Sequence, residues 1–286
     1  MNEQRIAVIT DSGTDTPADF VAAHDVRVIP LRINYSDGSS FENDGVQITV
    51  EEVVRRFAEE VPTTSLPSPM RIHETLEQAR RDGYAGAVVV TISSGLSATY
   101  ETVSMVARQM EDFPVVVVDT KSIGVAAGMV VMEAVRQVDA GMPLERLGSV
   151  LAAVSERVRV YFSVQKLDFL RKGGRISEAV YRVGSVLNIK PVLTCDEAEG
   201  KYVIEKKPRG WQKALRTQLD LVSEQAARWG QVRLAVCAHD PGLRAELEGR
   251  LRERVGNAVE LISCGISADL LVHTGPTLVG MAVMGM

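Results

Sequence analysis

An α/β fold is predicted by two features of the sequence. Up to about residue 158, apolar β-branched runs alternate with segments of helical periodicity. Beyond it, strand-like runs follow one another with few helices between them. The first pattern predicts an N-terminal domain over 1–158 built on a doubly wound, mainly parallel sheet. The second predicts a C-terminal α+β domain over 159–286 with a mixed or antiparallel sheet. A length of 286 residues suits two cores better than one.

The elements follow in order. Residues 6–10 form the first strand, which runs into TDSGTDTP, where Thr16 and Pro17 can open a helix. The next strand is expected over 26–35. Thr49 and Glu52 make a capping box for a helix whose apolar face is Val50, Val53, Val54, Phe57 and Val61. Pro62, Pro67 and Pro69 exclude regular structure from PTTSLPSP, so Thr63, Thr64 and Ser65 are expected in a stiff loop. Ser68 and Pro69 then start a helix bearing Ile72, Leu76 and Ala79.

Val88, Val89 and Val90 read as a buried strand that ends at Ser93-Ser94-Gly95. From Leu96 onward the spacing turns helical, with Leu96, Tyr100, Val103 and Ala107 on one face. Another buried strand covers 115–118 and ends in Asp119-Thr120-Lys121-Ser122. Gly124 and Gly128 in the following helix favour close packing. Leu144, Leu147, Leu151, Val154 and Val158 form a helix face after Pro143. Later strands are expected over 160–164, 188–194, 202–206, 234–238 and 259–264. Helices are expected over 211–228 and after Asp240-Pro241.

Composition narrows the function. Hydrophobic residues make up 45% and charged residues 24%, as in ordinary globular proteins, and the net charge of −5 offers no footprint for nucleic acid. No apolar run is long enough to cross a bilayer, so no stable membrane insertion is expected. The start, MNEQR, leads straight into a strand with no signal peptide. Cys195, Cys237 and Cys264 are far apart and lack metal-ligand spacing, so they read as reduced core thiols of a cytoplasmic protein. No Walker A or G-x-G-x-x-G pattern is present, and His24, His73, His239 and His273 are scattered. No metal, cofactor or catalytic residue is expected.

What remains is a set of polar turns at strand ends, which a doubly wound sheet gathers on one side. A strand that opens a helix through Ser93-Ser94 leaves free N–H groups at Gly95 and Leu96, a setting for an anion. Ser94 serving only as a helix cap explains the same residues. Arg171, Lys172 and Arg175 around Gly173-Gly174 fit either a helix C-terminus or a patch facing an anion or partner.

TDSGTD near the start, TTSLPSP at 63–69, ISSGLSATY at 92–100, VDTKS at 118–122, LDFLRKGGRI at 167–176, LNIKPVLTCDEAEGK at 187–201 and HTGP at 273–276 occur in one order over nearly the whole chain. In that combination the chain resembles the DegV family of bacterial fatty-acid-binding proteins. The resemblance implies a long-chain fatty acid in a tunnel between two domains. It implies a carboxylate held at the positions of Thr64, Ser93 or Ser94, and His273. It also implies an ATP-dependent fatty-acid kinase subunit as partner, faced by Arg171 and Arg209. That kinase would convert the bound acid to an acyl phosphate for phospholipid synthesis. Three residues depart from the family pattern: Leu66 for a polar residue, Ala98 for glycine and Thr277 for the glycine after HTGP.

Physical chemistry supports such a ligand. Burying about fifteen methylenes at ~0.8 kcal/mol each supplies roughly 12 kcal/mol before ordering costs. The carboxylate needs several donors in the same dry space, and hydroxyls supply them without competing as nucleophiles. The competing expectations are a stand-alone serine-dependent esterase or transferase and a binder of small phosphorylated metabolites.

Overall fold

The structure is a computed structural model that describes residues 2–185 and 188–286. Strand β1 (Ile6–Asp11) enters a single 3-10 turn at Ser12–Thr14 and then α1 (Ala18–Ala23). Three short strands follow, β2 (Arg27–Ile29), β3 (Arg32–Asn34) and β4 (Ser40–Glu42), and then α2 (Val50–Arg56). Next come β5 (Thr63–Ser65), α3 (Pro69–Arg81), β6 (Gly86–Thr91), α4 (Thr99–Ala107) and β7 (Val115–Asp119). Helices α5 (Gly124–Asp139) and α6 (Leu144–Ser155) lead into β8 (Val158–Ser163). The remainder runs α7 (Asp168–Lys172), α8 (Glu178–Ser185), β9 (Val192–Cys195), β10 (Tyr202–Lys206) and α9 (Trp211–Ala226). It ends with β11 (Val232–Ala238), α10 (Pro241–Arg254), β12 (Ala258–Cys264), α11 (Ala268–Thr274) and β13 (Val279–Gly285).

Two sheets carry out the sequence expectation. The first is parallel throughout, in the order β2-β1-β6-β7. The second is mixed, in the order β10-β9-β8-β13-β11-β12, with only β11 and β12 parallel. Between them lies α5, which is apolar almost all round and touches β1 and β6 on one side and β8, β11 and β13 on the other. Gly128 allows this helix to lie against the loop after β1, because a Cβ there would come within 2.6 Å of the Thr14 carbonyl oxygen. A charged cluster fastens α5 to the second sheet at its far end. Arg136 bridges Glu260 at 2.7 Å, and Arg233 reaches Glu133 at 2.6 Å and Glu260 at 3.1 Å.

Several elements differ from expectation. The strand expected over 26–35 splits at Pro30, which lacks an N–H, into β2 in the parallel sheet and β3 elsewhere. Residues 63–65 are an edge strand rather than a loop, because β3 pairs with both β4 and β5 in a third, antiparallel sheet. Thr64 lies directly opposite Ile33 there. Val158 belongs to β8 rather than to the preceding helix. Pro191 delays β9 to Val192, and Leu187, at the head of the LNIKPV motif, lies outside the described residues. His273 sits on the last turn of α11, a helix the apolar run LLVHT does not announce. Among the described residues, no helix is long and apolar enough to cross a membrane.

Candidate ligand-binding site

The polar turns meet. Asp11, at the end of β1, accepts the Gly13 N–H at 2.9 Å on one carboxyl oxygen and the Ile92 N–H at 2.8 Å on the other. It thereby ties the first strand end to the start of the Ser93-Ser94 turn. Asp119, at the end of β7, accepts the Ser94 N–H at 3.1 Å and the Lys121 N–H at 3.0 Å. Two strand-end carboxylates therefore fix the backbone on which Ser94 stands.

The two serines of that turn point in different directions. Ser94 lines a cavity of about 510 Å³ together with Thr64, Arg175, Tyr202, Leu270 and His273. Ser93 is fully buried behind it, where its hydroxyl donates to the Gly200 carbonyl at 2.9 Å and accepts the Gly95 N–H at 3.0 Å. The helix expected from Leu96 starts only at Thr99. Gly95 and Leu96 are thus turn residues. Their N–H groups are already used, by the Ser93 hydroxyl and by the Ser93 carbonyl at 3.1 Å, so neither offers the free helix N-terminal donor that the spacing suggested. Gly95 has a different task. A Cβ there would fall 2.1 Å from the Glu199 carbonyl, so glycine lets the β9–β10 turn close over the Ser93 turn.

His273 faces the same cavity from α11. Its Nε2 shares a 2.6 Å hydrogen bond with the Thr64 hydroxyl, while its Nδ1 is buried without a partner. A Cβ at Gly173 would collide with that ring, so the glycine after α7 makes room for it. Burial, reinforced by the nearby Arg175 guanidinium, holds the His273 pKa down at about 3. The imidazole is therefore neutral, with one donor and one acceptor nitrogen. Thr277, the departure after HTGP, accepts the Gln165 N–H at 3.1 Å and so ties the loop after α11 to the loop after β8.

The basic cluster read from the sequence does not act as one. Arg171 is exposed, lies 3.3 Å from Glu178 and stacks 4.3 Å from the centre of the Tyr181 ring. Lys172 donates to the Val61 carbonyl at 2.9 Å. Only Arg175 turns inward, where burial pushes its pKa down. Arg175 was read from the sequence only as part of the basic cluster and not at the carboxylate; it follows Gly174, which has φ +71°. Arg209 is exposed beyond β10, with its backbone bridged to Ile189.

Ile123, Tyr202, Leu270 and Thr274 are shared between this cavity and a narrow apolar slot of about 30 Å³. Val125, Val160, Phe162, Leu278 and Gly280 line the slot between α5 and the second sheet. Phe162 packs edge-on against Tyr202 at 4.9 Å. A hydroxyl-rich mouth thus adjoins a mostly apolar slot. Among the described residues, no group of three His, Cys, Asp or Glu side chains is placed to hold a metal.

Comparison with known proteins identifies the family and matches the fold. The family profile described as "Uncharacterised protein, DegV family" matches residues 5–285. The chain belongs to the DegV family. A DegV domain-containing protein of Clostridium perfringens is 30% identical over 98% of both chains. A DegV family protein of Thermus thermophilus, described as binding fatty acid, superposes with a TM-score of 0.90 at 30% identity, covering 99% of this chain and 100% of its own. A stearic acid-binding protein of Eubacterium ventriosum superposes with a TM-score of 0.88 at 25% identity over 98% of each chain. This DegV chain shares with them the mixed α/β architecture of one parallel and one mixed sheet.

Asp15, in the wall of the slot, and Asp11, four residues earlier, both have displaced titrations. Burial raises Asp15 to about 8 and Asp11 to about 7, with backbone hydrogen bonds opposing and neighbouring acids adding to the rise. Asp15 accepts the Ser267 N–H at 2.9 Å through one oxygen, and its other oxygen is buried without a partner. A carboxyl raised in the folded state binds more protons than in the unfolded chain. Its contribution is fully present below the ordinary value of 3.8 and is lost as pH rises towards the folded value. Asp15→Asn is expected to flatten the stability–pH curve between pH 5 and 8, by at most about 1.4 kcal/mol per pH unit. Urea melts of both proteins at several pH values check this, and parallel curves would contradict it.

Proposed function

We propose that this DegV protein binds a long-chain fatty acid, with its carboxylate among Thr64, Ser94 and His273 and its chain in the apolar slot. The observation that carries this reading is that the two spaces adjoin, sharing Ile123, Tyr202, Leu270 and Thr274 as common wall. The Thr64 and Ser94 hydroxyls and Arg175 offer donors and positive charge to an anion at the mouth, with the imidazole hydrogen-bonded to Thr64, and the slot behind is mostly carbon surface, with the Asp15 carboxyl and the Cys237 thiol in its wall. Arg175 fits a carboxylate better than it fits a neutral ester. Because the slot is narrow, an acyl chain would separate Phe162 from Tyr202 as it entered. Native mass spectrometry of protein purified from a bacterial host tests the reading. A bound species of fatty-acid mass is expected; empty protein that also refuses added palmitate and oleate would overturn it.

The reading includes a non-catalytic role, in which the protein presents the acyl carboxylate to an ATP-dependent fatty-acid kinase subunit and the product is an acyl phosphate. Arg171 and Arg209 are the proposed docking residues, since an exposed guanidinium can meet phosphate with two parallel hydrogen bonds. Arg171→Ala and Arg209→Ala should keep wild-type fatty-acid affinity and lose most acyl-phosphate formation with ATP and the cognate kinase subunit. Unchanged phosphorylation in both variants would move the docking face elsewhere.

One contact favours a hydrolase instead: Lys121 Nζ lies 3.1 Å from the Ser94 hydroxyl. Lysine can serve as the base for a serine nucleophile. Here, however, Nζ is ion-paired with Asp119 at 3.0 Å, and an ammonium has donors only and no lone pair with which to take the serine proton. No sustained turnover of acyl esters by the isolated protein is expected.

A further inference from the structure

On the reading of the mouth as a carboxylate site, we infer that Lys121 is a positioning residue for the head group, setting the direction of the Ser94 hydroxyl proton. Lys121 does not line the mouth. It lines a separate cavity of about 280 Å³, with Asp119, Arg159 and Glu197, and reaches Ser94 from behind. Its ammonium donates to the Ser94 oxygen at 3.1 Å and pairs with Asp119 at 3.0 Å. An ammonium has donors only, and a serine hydroxyl has one proton. With Lys121 occupying a lone pair on the rear side, that proton is left to donate forward, into the mouth.

The surroundings support a maintained device. Lys121 has φ +51°, a left-handed backbone that costs a residue with a Cβ energy, and the Asp119 carboxylate holds it there by accepting its N–H. Without the ammonium, Asp119 becomes the strongest acceptor beside Ser94, since it already binds the Ser94 N–H at 3.1 Å. The hydroxyl would then turn towards Asp119 and away from the ligand.

The test is palmitate affinity in a double-mutant cycle. Lys121→Met should weaken binding about tenfold, and Lys121→Arg, which keeps a cationic donor, should stay close to wild type. Lys121→Gly separates positioning from folding. Glycine suits the left-handed backbone, so the melting temperature should not fall, yet affinity should drop as in Lys121→Met. In a Ser94→Ala background, Lys121→Met should cause no further loss. If Lys121→Met and Lys121→Gly bind normally while Ser94→Ala is impaired, the inference is overturned and the carboxylate site stands. An equal loss with and without Ser94 would also overturn it, since Lys121 would then act through its charge alone. Normal binding by Ser94→Ala would remove the carboxylate assignment itself, and the role of Lys121 with it.

Discussion

Replacing Thr64 by Val and Ser94 by Ala together is expected to lower palmitate affinity by roughly a hundredfold while leaving the fold intact. A hydrogen bond to a charged group contributes about 1.5–3 kcal/mol, and each hydroxyl donates one. Each single variant should therefore lose at least about tenfold. The fold is spared for identifiable reasons. Thr64 lies half-buried on an edge strand, and valine matches its shape and β preference. Ser94 is held through its backbone by Asp119, which alanine retains. Thr64→Val also leaves His273 Nε2 without its 2.6 Å partner, so it should have the larger effect of the two singles. Isothermal titration of delipidated proteins reads these affinities. Retention of wild-type affinity in the double variant would place the carboxylate elsewhere.

Gly95→Ala is expected to destabilise the protein by about 1–3 kcal/mol and to weaken acyl binding as well. The added Cβ would sit 2.1 Å from the Glu199 carbonyl and 2.9 Å from the Gly200 carbonyl carbon, both backbone atoms with little freedom to yield. The turn joining β9 and β10 must then lift from the Ser93 turn. That movement removes the 2.9 Å bond from Ser93 to Gly200 and shifts the backbone of Ser94. Thermal unfolding with and without palmitate separates the two consequences. A variant with normal stability would show that this contact between the parallel sheet and the β9–β10 turn is dispensable.

Much of the fold was legible because its signals are local. Val88 to Val90 form a buried parallel strand, a setting that suits a run of β-branched residues, whereas residues 115–118, expected to be buried too, form the edge strand of that sheet with only Val118 buried. Gly128 marked close packing, as the Thr14 carbonyl beside it requires. The third sheet was hidden because Thr63-Thr64-Ser65 is polar, flanked by prolines and a strand only through its pairing with β3. In α11, seven residues carry too little periodicity to distinguish a helix from a buried run. The candidate site was partly legible: Thr64, Ser94 and His273, drawn from three separate motifs, line one cavity. Ser93 and Ser94 could not be told apart, since adjacent turn residues face opposite ways and Gly200, 107 positions further on from Ser93, decides which is buried. Lys121 was missed, and Arg175 was read only as one of a basic cluster, for a related reason. Each is a cation among other polar residues, and only the fold turns one into the mouth and the other against the back of Ser94.

The most direct test of the central claim is the carbon-13 resonance of carboxyl-labelled palmitate added to delipidated protein. One bound resonance is predicted, distinct from free palmitate. It should keep the shift of an ionised carboxylate well below the pH at which the free acid protonates, because donors and Arg175 favour the charged form. It should move in Thr64→Val and in Ser94→Ala. A bound resonance that titrates like the free acid and is the same in both variants would contradict the account, as would no bound resonance at all.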